Sequence, residues 1–131
     1  MLVLIRHAEV VVDPHVPSDT WRLSADGAAR AAELATHSAM GDVQLVATSP
    51  EPKALATARA LVGDRPIVVA EGLRELDRRA AGWVGTAEEY ADLVTAILER
   101  PTDSIRGCES AEHAGQRISR TIVDQIGRAH V

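Results

Sequence analysis

The sequence contains a single cysteine, Cys108, and one thiol cannot build an internal disulfide framework. No apolar run approaches the roughly 18 residues that a membrane helix needs, so no membrane partner is expected. The apolar run Leu2 to Ile5 is short and leads straight into Arg6 and His7, unlike the long core and small-residue cleavage site of a secretory leader. These features point to the cytoplasm. Internal repeats and low-complexity linkers are also missing. With a formal net charge of -5, the chain lacks the basic surplus that binding to a phosphate backbone requires, and nucleic acid is not expected as a partner. Lysine is scarcer still: of 14 basic residues only Lys53 is not arginine, which draws attention to its position. What is present, 131 residues with 46% hydrophobic and 25% charged, has the balance of one ordinary globular domain.

Hydrophobic patterning predicts strands alternating with helices. Leu2 to Ile5 reads as a central strand covered on both faces, Val43 to Ala47 as a second and Ile67 to Ala70 as a third. Ser24 is placed to cap a helix running to about Ser38, with Ala28, Ala31, Ala32 and Ala35 on one side. Ser49 with Pro50 predicts the start of a second helix, whose apolar face is Ala54, Ala58 and Leu61. Residues 71–85 carry three glycines and many charges without a period, and read as a loop. Thr86 and Glu89 make a capping-box pair for a helix to about Glu99, stopped by Pro101. A last helix begins at Ser110, with Ala111, Ala114, Ile118, Ile122 and Ile126 on one side. The expected fold is an α/β three-layer sandwich with a largely parallel sheet flanked by helices.

In such sheets ligands sit beyond the carboxyl ends of the strands. Three chemically loaded segments fall there: Arg6 to Glu9, Thr48 to Lys53 and Leu73 to Asp77. A neutral imidazole directly after a buried strand can attack phosphorus while a neighbouring guanidinium binds the phosphoryl oxygens bidentately. Alone, an Arg-His pair is more often a satisfied core or rim histidine. Lys53 on the first turn of a helix adds a point charge where the helix dipole already favours anions, although a solvated surface lysine has the same local sequence. Glu75, in the loop after the third strand, is a carboxyl group that burial can hold protonated, able to protonate a leaving oxygen and later to activate water.

Together these residues carry a resemblance. Leu4-Ile5-Arg6-His7-Ala8-Glu9 resembles the Arg-His-Gly signature of the histidine phosphatase superfamily, which has a phosphoglycerate mutase-like fold. Trp21-Arg22-Leu23-Ser24-Ala25-Asp26-Gly27 resembles the family's Leu-Thr-x-x-Gly helix entry, and residues 48–58 resemble its Ser-Ser-x-x-x-Arg-Ala-x-Gln-Thr-Ala segment. Leu73-Arg74-Glu75 with Gly82-Trp83-Val84-Gly85 is similar to the general-acid loop, and Gly107-Cys108-Glu109-Ser110 with Arg117 to the later Gly-Glu-Ser helix entry. Five motifs in family order span nearly the whole chain. The resemblance implies His7 as the residue transiently phosphorylated, Arg6 and Lys53 as phosphate ligands and Glu75 as proton donor. It implies no metal and no cofactor. Glu9 is expected to hydrogen-bond within its loop, and Glu109 and Arg117 to be structural.

Three departures stand out. Ala8 replaces Gly, and Lys53 replaces Arg, keeping charge while losing the planar fork. The family's second catalytic histidine, in a Val-x-His-Gly turn after one more strand, has no counterpart. His130 is not a substitute, having no following Gly and no apolar strand before it. Residues 1–125 are therefore expected to be a histidine phosphatase-like domain incomplete at its C-terminus. Residues 126–131 can be written ATC GGA AGA GCA CAC GTC, a frame through a common sequencing adapter, and are expected to be a non-native tail. Resequencing the locus tests this: the same codons in the genome followed by a stop would refute it. The implied activity is phosphomonoester hydrolysis through a phosphohistidine, on a phosphorylated small molecule or a phosphoprotein. A phosphoglycerate mutase-type phosphotransferase and a non-catalytic phosphate-binding module are the alternatives.

Overall fold

The computed structural model describes residues 1–129. Its sheet is small and parallel: strand β1 (Ala47–Thr48) pairs with β2 (Val68–Val69) in the register Ala47 to Val68 and Thr48 to Val69. Main-chain bonds from Val68 N to Val46 O and from Ala70 N to Thr48 O, each 2.8 Å, extend the pairing at both ends. Two parallel strands need a crossover, and helix α2 (Pro52–Val62) supplies it. Helices α1 (Ala25–Leu34), α3 (Ala87–Glu99) and α4 (Ala111–Ala129) complete the mixed α/β fold.

The strands are shorter than the apolar runs that predict them, and Leu2 to Ile5 does not join the ladder among the described residues. A fully apolar strand needs partners on both faces, and here Leu4 is 73% exposed beside an open, largely apolar cleft of about 1380 Å³. The Ile118 and Ile122 side of α4 lines the same cleft. The main buried cluster lies elsewhere, where Leu93 and Ile97 of α3 meet Ile105 and the fully buried Cys108, with Leu76 and Val84 packed against them.

Capping chemistry sets most of the helix starts. The Ser24 hydroxyl accepts from Gly27 N at 3.0 Å, as predicted, but α1 ends at Leu34 rather than near Ser38, and its buried side is Gly27 and Ala31. Helix α2 begins one dipeptide later than expected: Glu51 is its N-cap and Pro52, not Pro50, holds the first helical position. For α3 the Thr86 hydroxyl accepts from Glu89 N at 3.1 Å, and the Glu89 carboxylate accepts from Gly85 N in place of the reciprocal Thr86 N. The 71–85 loop contains two short 3₁₀ turns, Glu71–Leu73 and Arg79–Ala81.

The segment after His7 is tied to the entry of α1. Val11 N donates to Arg22 O at 2.9 Å, Ser24 N to Glu9 O at 3.0 Å, and the Ser24 hydroxyl to the Glu9 carboxylate at 2.8 Å. Glu9 thus bonds to the cap of α1, 15 residues away, rather than within its own loop. Gly27 permits the approach, because a Cβ there would lie 2.2 Å from Glu9 O. Gly27→Ala must push α1 off this segment, and overpacking of this kind is expected to cost about 2 kcal/mol, read as a lower thermal midpoint. An unchanged midpoint would contradict the close approach.

Candidate active site

Residues at the sheet's carboxyl end build the site. Thr57, buried on α2, links the His7 turn to the helix: its hydroxyl accepts from Ala8 N at 3.0 Å and donates to Lys53 O at 2.7 Å. His7 Nδ1 lies 2.8 Å from Ala8 O. A carbonyl only accepts, so Nδ1 carries the proton and the lone pair is on Nε2, the nitrogen available to act as nucleophile. Arg6 is exposed, and with His7, Lys53 and Glu75 it lines one open cleft of about 1170 Å³.

Lys53 is the buried charge at the centre of this arrangement, 3% exposed. Its Nζ lies 2.9 Å from Glu75 Oε2 and 3.8 Å from Glu51 Oε2, and donates to Ser18 O at 3.1 Å. A buried ammonium is tolerable only with such partners, since removing an ion from water costs several kcal/mol. The solvated-surface reading of Lys53 is excluded. The burial expected for Glu75 is not found: its side chain is 31% exposed and is held as an ion pair, with Arg78 3.8 Å from its other oxygen. Ser18 joins the two, donating its hydroxyl to Glu75 Oε1 and accepting from Arg78. The cleft wall includes Trp21 and Trp83, edge to face with ring centroids 6.4 Å apart.

The loop carrying Glu75 is fixed from α4. Arg117 donates to the carbonyls of Gly72 at 2.9 Å and Arg74 at 2.7 Å, with a longer contact to Glu75 O at 3.4 Å. Its guanidinium also grips Glu109 bidentately, at 3.0 and 2.7 Å, and Glu109 accepts from Asp77 N at 3.1 Å. Hydrogen bonding to Arg117 is the main reason that the Glu109 carboxyl is pulled from its ordinary 4.5 down to about 2, with the Asp77 N–H and His113 assisting against partial burial. A depressed carboxyl stabilises the fold fully above its unfolded value and loses that contribution as pH falls toward the folded one. Stability is therefore expected to drop as pH falls from roughly 5 toward 2, and Glu109→Gln to flatten this slope in acid denaturation curves. A Glu109→Gln chain with the wild-type slope would remove Glu109 as its source.

The three predicted segments thus meet in one cleft, with Lys53 and Glu75 in direct contact. Sequence reasoning passed over Glu51, Ser18, Thr57 and Arg78. Arg78 follows Glu75 by three residues, a weak signal of pairing; an acid between two prolines and a serine in an irregular stretch carry none. His130 lies outside the described residues. Among the described residues no cluster of three or more His, Cys, Asp or Glu could hold a metal ion, and no helix is long and apolar enough to cross a membrane.

The family profile of the histidine phosphatase superfamily (branch 1) matches residues 2–130. No curated protein matches the sequence. Among solved structures, an Escherichia coli K-12 protein assigned as an alpha-ribazole-5'-P phosphatase superposes with a TM-score of 0.65 at 25% identity, covering 96% of this chain and 66% of its own. The alpha-ribazole phosphatase from Shigella flexneri gives 0.65 at 24% identity, with 96% and 67% covered. The chain spans about two thirds of the length of these structures.

Proposed function

The chain belongs to the histidine phosphatase superfamily, and we propose that it hydrolyses phosphate monoesters through a phosphohistidine at His7. The observation that carries this reading is the Lys53–Glu75 ion pair at 2.9 Å, on the wall of the cleft that Arg6 and His7 share. His7 Nε2 attacks phosphorus as the bond to the leaving oxygen breaks, and the proton of the phosphate monoester monoanion, taken up by the Glu75 carboxylate as substrate binds, passes to that oxygen. Arg6 and Lys53 hold the phosphoryl oxygens as charge builds on them. Water then attacks the phosphohistidine, Glu75 takes the water's proton, and inorganic phosphate leaves with Nε2 restored. The same two groups serve both halves.

A phosphorylated small molecule is the substrate class that we favour. The Trp21 and Trp83 wall suits a leaving group with a flat apolar part, and the Escherichia coli structural neighbour bears the name of an alpha-ribazole-5'-P phosphatase. We also infer that residues 1–125 are an incomplete domain and that residues 126–131 are non-native. The exposed Leu2 to Ile5 run beside its apolar cleft supports the first of these, as does the one third of the neighbours' length that this chain does not span.

Vanadate and phosphate binding, measured beside p-nitrophenyl phosphate hydrolysis and trapping of an acid-labile phosphoprotein, tests the reading. Binding with turnover and a trapped phosphohistidine is the expected result. Binding with no turnover would make the chain a phosphate-binding module, and no binding of either anion would overturn the site.

A further inference from the structure

We infer that Glu51 is a positioning residue, which holds Lys53 and the Glu75 main chain in place and keeps phosphate binding weak by leaving a negative charge beside it. The inference rests on the phosphatase reading and deepens it. Glu51 is 3% exposed, as deeply buried as Lys53, and an ionised side chain at that depth needs a reason. Helix capping is not the reason. Glu51 occupies the N-cap of α2, where a carboxylate ordinarily accepts from the first-turn N–H groups, yet its side chain makes no capping bond. Its Oε1 accepts instead from Glu75 N at 3.0 Å, across 24 residues of sequence, and its Oε2 lies 3.8 Å from Lys53 Nζ.

The local sequence pre-sets this aim. Glu51 lies between Pro50 and Pro52, and a residue before proline is confined to extended backbone; it has φ -61° and ψ 134°. One carboxylate thereby ties the first turn of α2 to the loop that carries the proton donor.

The charge balance gives the second half of the argument. Lys53 faces two carboxylates, Glu75 at 2.9 Å and Glu51 at 3.8 Å, with Ser18 O as its third partner. When Glu75 carries the proton it donates, its ion pair with Lys53 is lost. Glu51 makes no proton transfer and stays as the second carboxylate beside Lys53, 3.8 Å from Nζ, on the wall of the same cleft. The same fixed charge repels the phosphate dianion, which favours release of the product.

Two substitutions separate charge from reach. Glu51→Gln keeps an acceptor for Glu75 N and removes the charge: inorganic phosphate, titrated by calorimetry, is expected to bind about tenfold more tightly. Glu51→Asp keeps the charge and withdraws the oxygen from Glu75 N: phosphate affinity is expected to hold while kcat falls about tenfold. A role confined to packing would move neither quantity in this split. Wild-type phosphate affinity in Glu51→Gln, or wild-type kcat in Glu51→Asp, overturns the inference, and the Asp variant decides alone if the Gln variant does not fold. A wild-type chain that binds no phosphate refutes the phosphatase reading itself, a result distinct from either of these.

Discussion

Replacing His7 by alanine is expected to lower p-nitrophenyl phosphate turnover by a factor on the order of 10³ or more, while moving the thermal midpoint by less than about 2 °C. The size of the loss follows from covalent catalysis. If Nε2 forms the bond to phosphorus, no neighbouring group can replace it: Lys53, paired with Glu75, and the arginines are cations without a free lone pair. The small cost to the fold follows from the packing. The imidazole makes its hydrogen bond to the adjacent Ala8 O, and the bond that anchors this turn runs from the Ala8 main chain to Thr57, which the substitution leaves in place. Phosphate and vanadate should still bind, because Arg6 and Lys53 remain. Turnover at the wild-type rate in His7→Ala would remove His7 as the nucleophile, and lost binding with intact folding would assign it to recognition instead.

How much of this was legible in the sequence depends on what each feature asks of its surroundings. Helix α3 was readable almost to the residue because Thr86, Glu89 and Pro101 act within one or two turns. The convergence of Lys53 and Glu75 was readable from a topological rule, as each follows a strand of the β1–β2 pair, whereas Arg6 follows a run that joins no sheet among the described residues. Leu2 to Ile5 failed as a strand because an apolar run states a demand for burial and says nothing about whether neighbours supply it. The start of α2 slipped because Ser49-Pro50 and Glu51-Pro52 offer the same capping pattern two residues apart, and the choice between them was made by contacts to distant residues. Glu51 was opaque for that reason: its partners Lys53 and Glu75 are brought together by the crossover, and an acid flanked by prolines reads locally as a solvated turn.

The same reasoning applies to Arg117, which family resemblance marks only as structural and which the geometry makes a clamp. Arg117→Ala is expected to destabilise the fold by about 3 to 4 kcal/mol, lowering the thermal midpoint by roughly 10 °C, because it strands several partners at once. The Gly72 and Arg74 carbonyls lose their donor, and Glu109 loses a bidentate grip while still held against Asp77 N. Gly72 sits so close to Thr121 of α4 that an added Cβ would lie 1.9 Å from its hydroxyl. Arg117→Lys should recover only part of the loss, since one ammonium cannot span two carbonyls and a carboxylate in the plane that the guanidinium occupies. The acid limb supplies an independent check. Arg117 is the leading cause of the depressed Glu109 carboxyl, so removing it should also remove most of the stability lost between roughly pH 5 and pH 2. Wild type and Arg117→Ala should then differ most near neutral pH and converge toward pH 2. Parallel curves across that range would separate the pH response from the clamp and place its origin in another carboxylate.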